Sequence, residues 1–216
     1  MKGKIKDIKQ ETHDTKRFTI TLEKEIEHKP GQFIKLTLPK KYIGRPFSIS
    51  SKGGKHKEIE LTIKLYADGN FTQKLNELKK GDEVEIDGPY GHFYFDDKTK
   101  KDVVLIAGGT GISALHSIFR YIIDKKLKNK ITLFYSAKKE EDLVYKEEFE
   151  KEDIKLHINL TREKNGRRLN KEDLKNVNKD SLFFIVGPNE FVKDIAEILK
   201  NLKIKEENIK TEIYGR

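Results

Sequence analysis

The hydrophobic pattern of this chain has two periods, and the change between them at 96–102 constrains the fold more than any other feature. Before it, apolar residues alternate with polar ones over 4–10, 18–22, 32–38, 47–51 and 59–66. A period of two places one face of a strand on a core and the other in water. Breakers separate these runs: Pro30-Gly31, Pro39, Gly44, Gly53-Gly54, Gly69, Gly81 and Gly88-Pro89. One short helix fits at 71–78, where Phe71, Leu75 and Leu78 share a face. Short strands with frequent turns predict a closed antiparallel β-barrel over residues 1–98.

After the polar run DDKTKKD (96–102), apolar β-branched stretches alternate with amphipathic helical ones. The strand candidates are 103–107, 131–135, 154–160, 182–186 and 209–214. Helical spacing is clearest at Ile112, Leu115, Phe119, Ile122 and at Phe191, Ile195, Ile198, Leu202. Strands of this kind between helices predict a parallel sheet covered on both faces. The expected fold class is therefore β followed by α/β. An N-terminal antiparallel β-barrel (1–98) precedes a C-terminal five-stranded parallel, Rossmann-like nucleotide-binding domain (102–216).

Composition removes several function classes. With no cysteine among 216 residues, the chain forms no disulfide, thiolate zinc site or cysteine-ligated iron–sulfur cluster. The six histidines (13, 28, 56, 92, 116, 157) form no pair four apart, so no metal site is expected. The first residues, MKGKIKDIKQ, lack a signal-peptide core, and no apolar run approaches the ~20 residues that span a bilayer. A cytoplasmic location away from membranes is the expectation. Lys and Arg number 45 against 36 Asp and Glu, a net charge of +9. Acids are interleaved throughout, as in KEEFEKEDIK (146–155), so the pattern predicts a solvated surface rather than a nucleic-acid groove. The same charge would steer an acidic protein partner.

The run VVLIAGGTGISAL places Gly109-Thr110-Gly111-Ile112-Ser113-Ala114 after a strand and at the start of a helix. Glycines there let backbone approach a pyrophosphate, which the helix N-terminus attracts. A plain chain-reversing turn would use the same residues. There is no Gly-Lys-Ser/Thr, and Ser136-Ala137-Lys138-Lys139 offers no acid for a ribose diol.

In sequence order, Arg45-Pro46-Phe47-Ser48, Asp68-Gly69-Asn70-Phe71-Thr72, Gly108–Ser113, Val186-Gly187-Pro188 and Glu212-Ile213-Tyr214 resemble the ferredoxin–NADP(H) reductase family. PGQF (30–33) and YKEEF (145–149) extend the likeness across the chain. The resemblance implies a flavin-binding barrel, with FAD rather than FMN, and a domain for NADPH, with NADH as the alternative. It implies that Arg45 pairs with flavin phosphates, that Pro46 and Phe47 lie along the ring system, and that Ser48 bonds flavin N5. Lys64 and Tyr66 would line the flavin, or serve as edge-strand residues. Gly69, Asn70, Phe71 and Thr72 would hold its pyrophosphate, with Thr72 as a mere turn residue the alternative.

For the nicotinamide nucleotide the same resemblance implies Gly109, Thr110 and Gly111 at the pyrophosphate and Gly187 and Pro188 at the turn beside it. Thr161, Arg162, Arg167 and Arg168 would surround a 2′-phosphate, a task suited to guanidinium. Ser113 stands in place of the family's usual Pro, and Val186 in place of a frequent Cys. Ser48, Glu212 and Tyr214 would form the catalytic group, Tyr214 covering the flavin or serving as a buried aromatic of the last strand. The implied reaction passes a hydride from NADPH to FAD and electrons singly to an acidic carrier such as ferredoxin or flavodoxin. The alternatives are an NADH-using reductase subunit of a larger oxygenase or dehydrogenase complex, and a flavin-binding interaction domain without turnover.

Overall fold

The computed structural model describes residues 1–39 and 43–214. Its first half begins with a long hairpin of β1 (Lys2–Thr12) and β2 (Thr15–His28), whose register sets Ile5 against Ile20 and Ile8 against Phe18. β3 (Phe33–Thr37), β4 (Arg45–Ser48), β5 (Gly54–Lys64) and β6 (Glu83–Tyr90) complete a sheet of order β4-β3-β6-β1-β2-β5 with antiparallel pairings. Its two edges meet: Ile49, just beyond β4, bridges Leu61 of β5, and the Ser50 N–H donates to the Glu60 carbonyl at 2.8 Å. That contact closes the expected barrel and leaves fewer strand edges to water. The inward residues of the alternating runs, among them Phe18, Ile20, Leu36, Leu61 and Ile86, form its core. The helix α1 (Asn70–Asn76) adds Leu75.

The strand β6 was not among the expected ones. Only Val84 and Ile86 carry its alternation, and Gly88-Pro89 reads as a breaker although both residues lie within the strand. Gly88 adopts φ +132°, which allows the chain to bend there against Ile34 without leaving the sheet.

The second half is a five-stranded sheet of β7 (Val103–Gly108), β8 (Ile131–Ala137), β9 (Lys155–Leu160), β10 (Leu182–Gly187) and β11 (Ile209–Ile213). All its pairings are parallel and its order is β11-β10-β7-β8-β9. Every residue of β7 is buried. Val103, Leu105 and Ala107 pack on one side with α2 (Ile112–Asp124) and α3 (Lys146–Glu150). Val104 and Ile106 pack on the other with α4 (Lys171–Leu174) and α5 (Asn189–Asn201). Each of the Val, Leu and Ile side chains contributes about 1.5–3 kcal/mol on burial. Phe93 and Phe95, which follow the barrel, reach into this core, Phe93 meeting Phe184 edge-on at 5.5 Å. No helix among the described residues is long and apolar enough to cross a membrane.

Candidate active site at the seam between barrel and parallel sheet

In the parallel sheet the order reverses at β7, which pairs with β8 on one side and β10 on the other. Open α/β sheets offer a crevice at the carboxyl ends of strands beside such a reversal. Both strands end there in glycine, and the two backbones nearly touch: a Cβ on Gly187 would lie 3.1 Å from the Gly108 Cα. Phe191 of α5 covers both glycines. Gly111 is held equally closely, since a Cβ there would stand 2.7 Å from the Val186 carbonyl oxygen. Gly109 differs. It adopts φ +57° and faces open space, with nothing within 4 Å of an added Cβ. Exposed Gly109, half-buried Thr110 and the start of α2 thus form an open backbone cradle, with Gly187 and exposed Pro188 at its side. A pyrophosphate fits such a cradle.

The loop after β9 is tied to the loop after β8: Thr161 N–H and Oγ1 both donate to the Ala137 carbonyl, and Arg162 N–H to that of Lys138 at 2.8 Å. The Arg162 guanidinium is exposed and makes no ion pair among the described residues. Its neighbours are engaged. Arg167 forms a two-pronged pair with Asp173 at 2.5 and 2.6 Å, and Arg168 lies 3.6 Å from Asp194. Of the three cations expected around a 2′-phosphate, one is therefore unpaired.

On the barrel side, β4 ends at the seam. Arg45 and Pro46 are exposed, Phe47 is half-buried with its ring 5.6 Å from that of Phe71, and Ser48 is buried. Ser48 Oγ and the Tyr214 hydroxyl share a hydrogen bond, and Ser113 of α2 is a second partner of that hydroxyl. The Tyr214 N–H donates to the Gly187 carbonyl at 2.8 Å, which fixes Tyr214 against β10. Burial raises the Tyr214 hydroxyl above its ordinary range. Glu212 lies beside Val186 in the sheet register, and its Oε2 is buried without a hydrogen-bond partner. Burial pushes its carboxyl up to about 7. An unsatisfied buried acceptor near Tyr214 suits a site that takes a polar ring system.

Around α1 the contacts are more local. Thr72 Oγ1 accepts from the Tyr66 N–H and donates within the same turn to the Gly69 and Tyr66 carbonyls. It holds the turn of Gly69 and exposed Asn70 rather than pointing outward alone. Lys64 pairs with Asp14, and Tyr66 is 37% exposed. These hydrogen bonds and this ion pair stay within the barrel half, whereas the Tyr214 hydroxyl meets Ser113, which the sequence marks only as a replacement for the family's usual Pro. Gly215 and Arg216, which follow Tyr214 in the sequence, lie outside the described residues.

Comparison with known proteins agrees with this division. Residues 2–95 match the family described as oxidoreductase FAD-binding domain, and residues 105–197 the oxidoreductase NAD-binding domain. The chain is 31% identical over 205 residues to a probable dihydroorotate dehydrogenase B (NAD(+)) electron transfer subunit from Methanocaldococcus jannaschii, covering 93% of this chain and 74% of that one. It is 34% identical over 132 residues to the reductase component DmpP of phenol 2-monooxygenase from a Pseudomonas strain, 61% of this chain and 37% of that one. The solved phthalate dioxygenase reductase, described as a modular structure for electron transfer from pyridine nucleotides to [2Fe-2S], superposes with a TM-score of 0.88 at 17% identity over all of this chain and 68% of that one. The chain thus spans little more than a third of the monooxygenase component. With a barrel that matches FAD-binding domains, a parallel sheet that matches NAD-binding domains and the seam between them, this chain belongs to the ferredoxin–NADP(H) reductase family of flavin-dependent oxidoreductases.

Proposed function

We propose that the chain is the electron-entry subunit of a larger oxidoreductase: it takes reducing equivalents from NADH and passes them to an iron–sulfur carrier outside these 216 residues. The observation that carries this reading is the shared hydrogen bond of Ser48 and Tyr214, which joins the end of β4 to the strand beside the glycine cradle. A flavin held at Ser48 and a nucleotide held at Gly109–Gly111 would be brought together across this contact. Bound FAD supplies hydride acceptance and one-electron release, chemistry that no side chain here provides.

The chain's residues bind, orient and shield. Arg45 would hold the flavin phosphates, Phe47, packed on Phe71, would lie against the ring system, and Ser48 would donate to the ring nitrogen that receives hydride. Tyr214 would cover that position in the absence of nicotinamide, and Glu212, its carboxyl pushed up to about 7 by burial, would hold a proton nearby. Support for NADH over NADPH comes from Asp173 and Asp194, which take up Arg167 and Arg168 and leave Arg162 as the unpaired cation. The name of the Methanocaldococcus relative points the same way.

An acidic carrier suits the net charge of +9, because complementary charge raises the encounter rate and makes it salt-sensitive. The lack of cysteine within the chain places any cysteine-ligated cluster elsewhere. The test is NADH-driven reduction of cytochrome c by the FAD-loaded protein with and without an acidic [2Fe–2S] ferredoxin. Acceleration by the ferredoxin that weakens with added salt supports the reading. Equal rates with and without it contradict the carrier assignment.

A further inference from the structure

The helix that opens at the glycine cradle is fastened, one turn later, to the strand end that carries Ser48. His116 of α2 is 2% exposed. Its Nδ1 lies 2.8 Å from the Ser50 carbonyl oxygen, and its Nε2 lies 3.0 Å from a carboxylate oxygen of Glu148 on α3. The ring stacks on Tyr145 at 3.7 Å with the planes 8° apart. Tyr145 in turn hydrogen-bonds Thr62 of β5 through its hydroxyl, and Thr62 meets Ser50 at 3.2 Å. Next along α2, Ser117 Oγ donates to the Ser51 carbonyl at 2.6 Å. Tyr145 sits at φ +62°, a conformation uncommon outside glycine that persists where surrounding contacts over-determine it.

Both partners of the His116 ring only accept. One is a peptide carbonyl and the other a carboxylate, which the bond from His116 holds down at about 2. Two donating ring nitrogens are the imidazolium. The charged groups around it come from every packed element. Glu148 faces it from α3, Arg17 from β2 and Glu60 from β5, while Lys52 follows β4 and Arg120 and Asp124 lie on α2 itself. Arg17 is paired with Glu11 at 2.8 Å, Glu148 at 3.4 Å and Glu60 at 3.7 Å, and Asp124 with Lys52 at 3.1 Å and Arg120 at 3.4 Å. The acids thus offset the other cations near the ring.

We propose that His116, as the imidazolium clamped between Ser50 and Glu148 and stacked on Tyr145, is a positioning residue that sets the glycine cradle against Ser48 and so sets the distance for hydride transfer. The proposal rests on the functional reading above. Its physical ground is lever length. Gly111 and His116 are five residues apart, about 7.5 Å of helix at ~1.5 Å per residue. Hydride transfer needs reacting atoms about 3–3.5 Å apart, and a misplacement of ~1 Å costs up to about a hundredfold. A clamp this close to the cradle controls that distance without touching nucleotide or flavin.

Glu148→Gln and His116→Phe test it, the first keeping shape at a half-buried position and the second keeping a ring on Tyr145. Anaerobic stopped-flow reduction by NADH gives the limiting rate and nucleotide affinity, and reoxidation of the dithionite-reduced flavin by ferricyanide reports on the flavin pocket alone. We expect both variants to lose tenfold or more in limiting reduction rate, with ferricyanide reoxidation unchanged. Independently of turnover, hydrogen exchange at residues 48–53 should quicken in both variants. Limiting rates within twofold of wild type in both variants, or unchanged exchange there, overturn the clamp. A wild-type flavin that neither NADH nor NADPH reduces overturns the functional reading first, and the clamp with it.

Discussion

Ser48 and Tyr214, 166 positions apart, share a hydrogen bond at the seam of two domains of different architecture. Ser48 owes its place to β4 at the barrel edge, Tyr214 to a strand whose partner ends in the close-packed Gly187. Neither domain makes this site alone.

The first consequence concerns Ser48 itself. Ser48→Ala removes the one hydroxyl that β4 brings to the seam and leaves the barrel core intact, since Ile49 and Leu61 still close it. Flavin content should persist while the rate of flavin reduction by NADH falls about 10- to 100-fold, the scale of losing one preorganised donor. Stopped-flow absorbance measures it. An unchanged rate would remove Ser48 from the reaction.

Two glycines of one loop should respond to different degrees. In Gly111→Ala the new methyl meets backbone, at 2.7 Å from the Val186 oxygen, so β10 and the loop must separate. Such overpacking costs about 1–3 kcal/mol, and NADH binding should be lost. In Gly109→Ala the methyl meets no protein atom, so the fold loses only the positive-φ penalty, about 1 kcal/mol, while the methyl enters the open cradle and weakens NADH binding. Thermal melts with NADH titration monitored by flavin absorbance separate the two. Equal damage at both positions would contradict the packing argument.

Nucleotide choice should respond to the arginine pairing. Arg162→Ala is expected to weaken NADPH about tenfold and NADH little, since only the former carries a 2′-phosphate. Asp173→Asn, which releases Arg167 from its two-pronged pair, should improve NADPH relative to NADH. Steady-state kcat/KM for both nucleotides measures the ratio. No change in either variant would place the 2′-phosphate site elsewhere.

Glu212 predicts a pH dependence. Its folded carboxyl titrates at about 7 against an ordinary 4.5 because burial disfavours the charge. Between those values the folded chain keeps a proton that the unfolded chain has released, so stability falls as pH rises through this window. The full cost applies above it, on the order of 3 kcal/mol. Glu212→Gln should therefore be more stable than wild type at about pH 8 and close to it at about pH 4. Urea midpoints at both values decide this. A variant no more stable at the higher pH would show that the carboxyl is not desolvated.

Much of this was legible before any coordinates. β7 was read within one residue because a fully buried parallel strand is a continuous apolar run bounded by charge and glycine. β6 was not, because Val84 and Ile86 make only two beats of alternation before Gly88-Pro89. Arg167 was expected at a phosphate, although Asp173 stands where Asn170 caps α4. That carboxylate accepts from the Asn170 N–H at 2.9 Å as well as from Arg167, so the cap offered a local sign of a competing anion. His116 sits on the helix after the glycine loop, where the sequence leaves packing and exposure both open; the structure buries it. Its partners Ser50, Tyr145 and Glu148 are set by tertiary contacts that no spacing encodes.

The most direct measurement is anaerobic titration of the FAD-loaded protein with NADH, followed by the visible absorption of the oxidised flavin. The account predicts stoichiometric bleaching by NADH, slower bleaching by NADPH, and recovery of the oxidised spectrum when a one-electron acceptor is added. An oxidised spectrum that persists with excess of both nucleotides would contradict it.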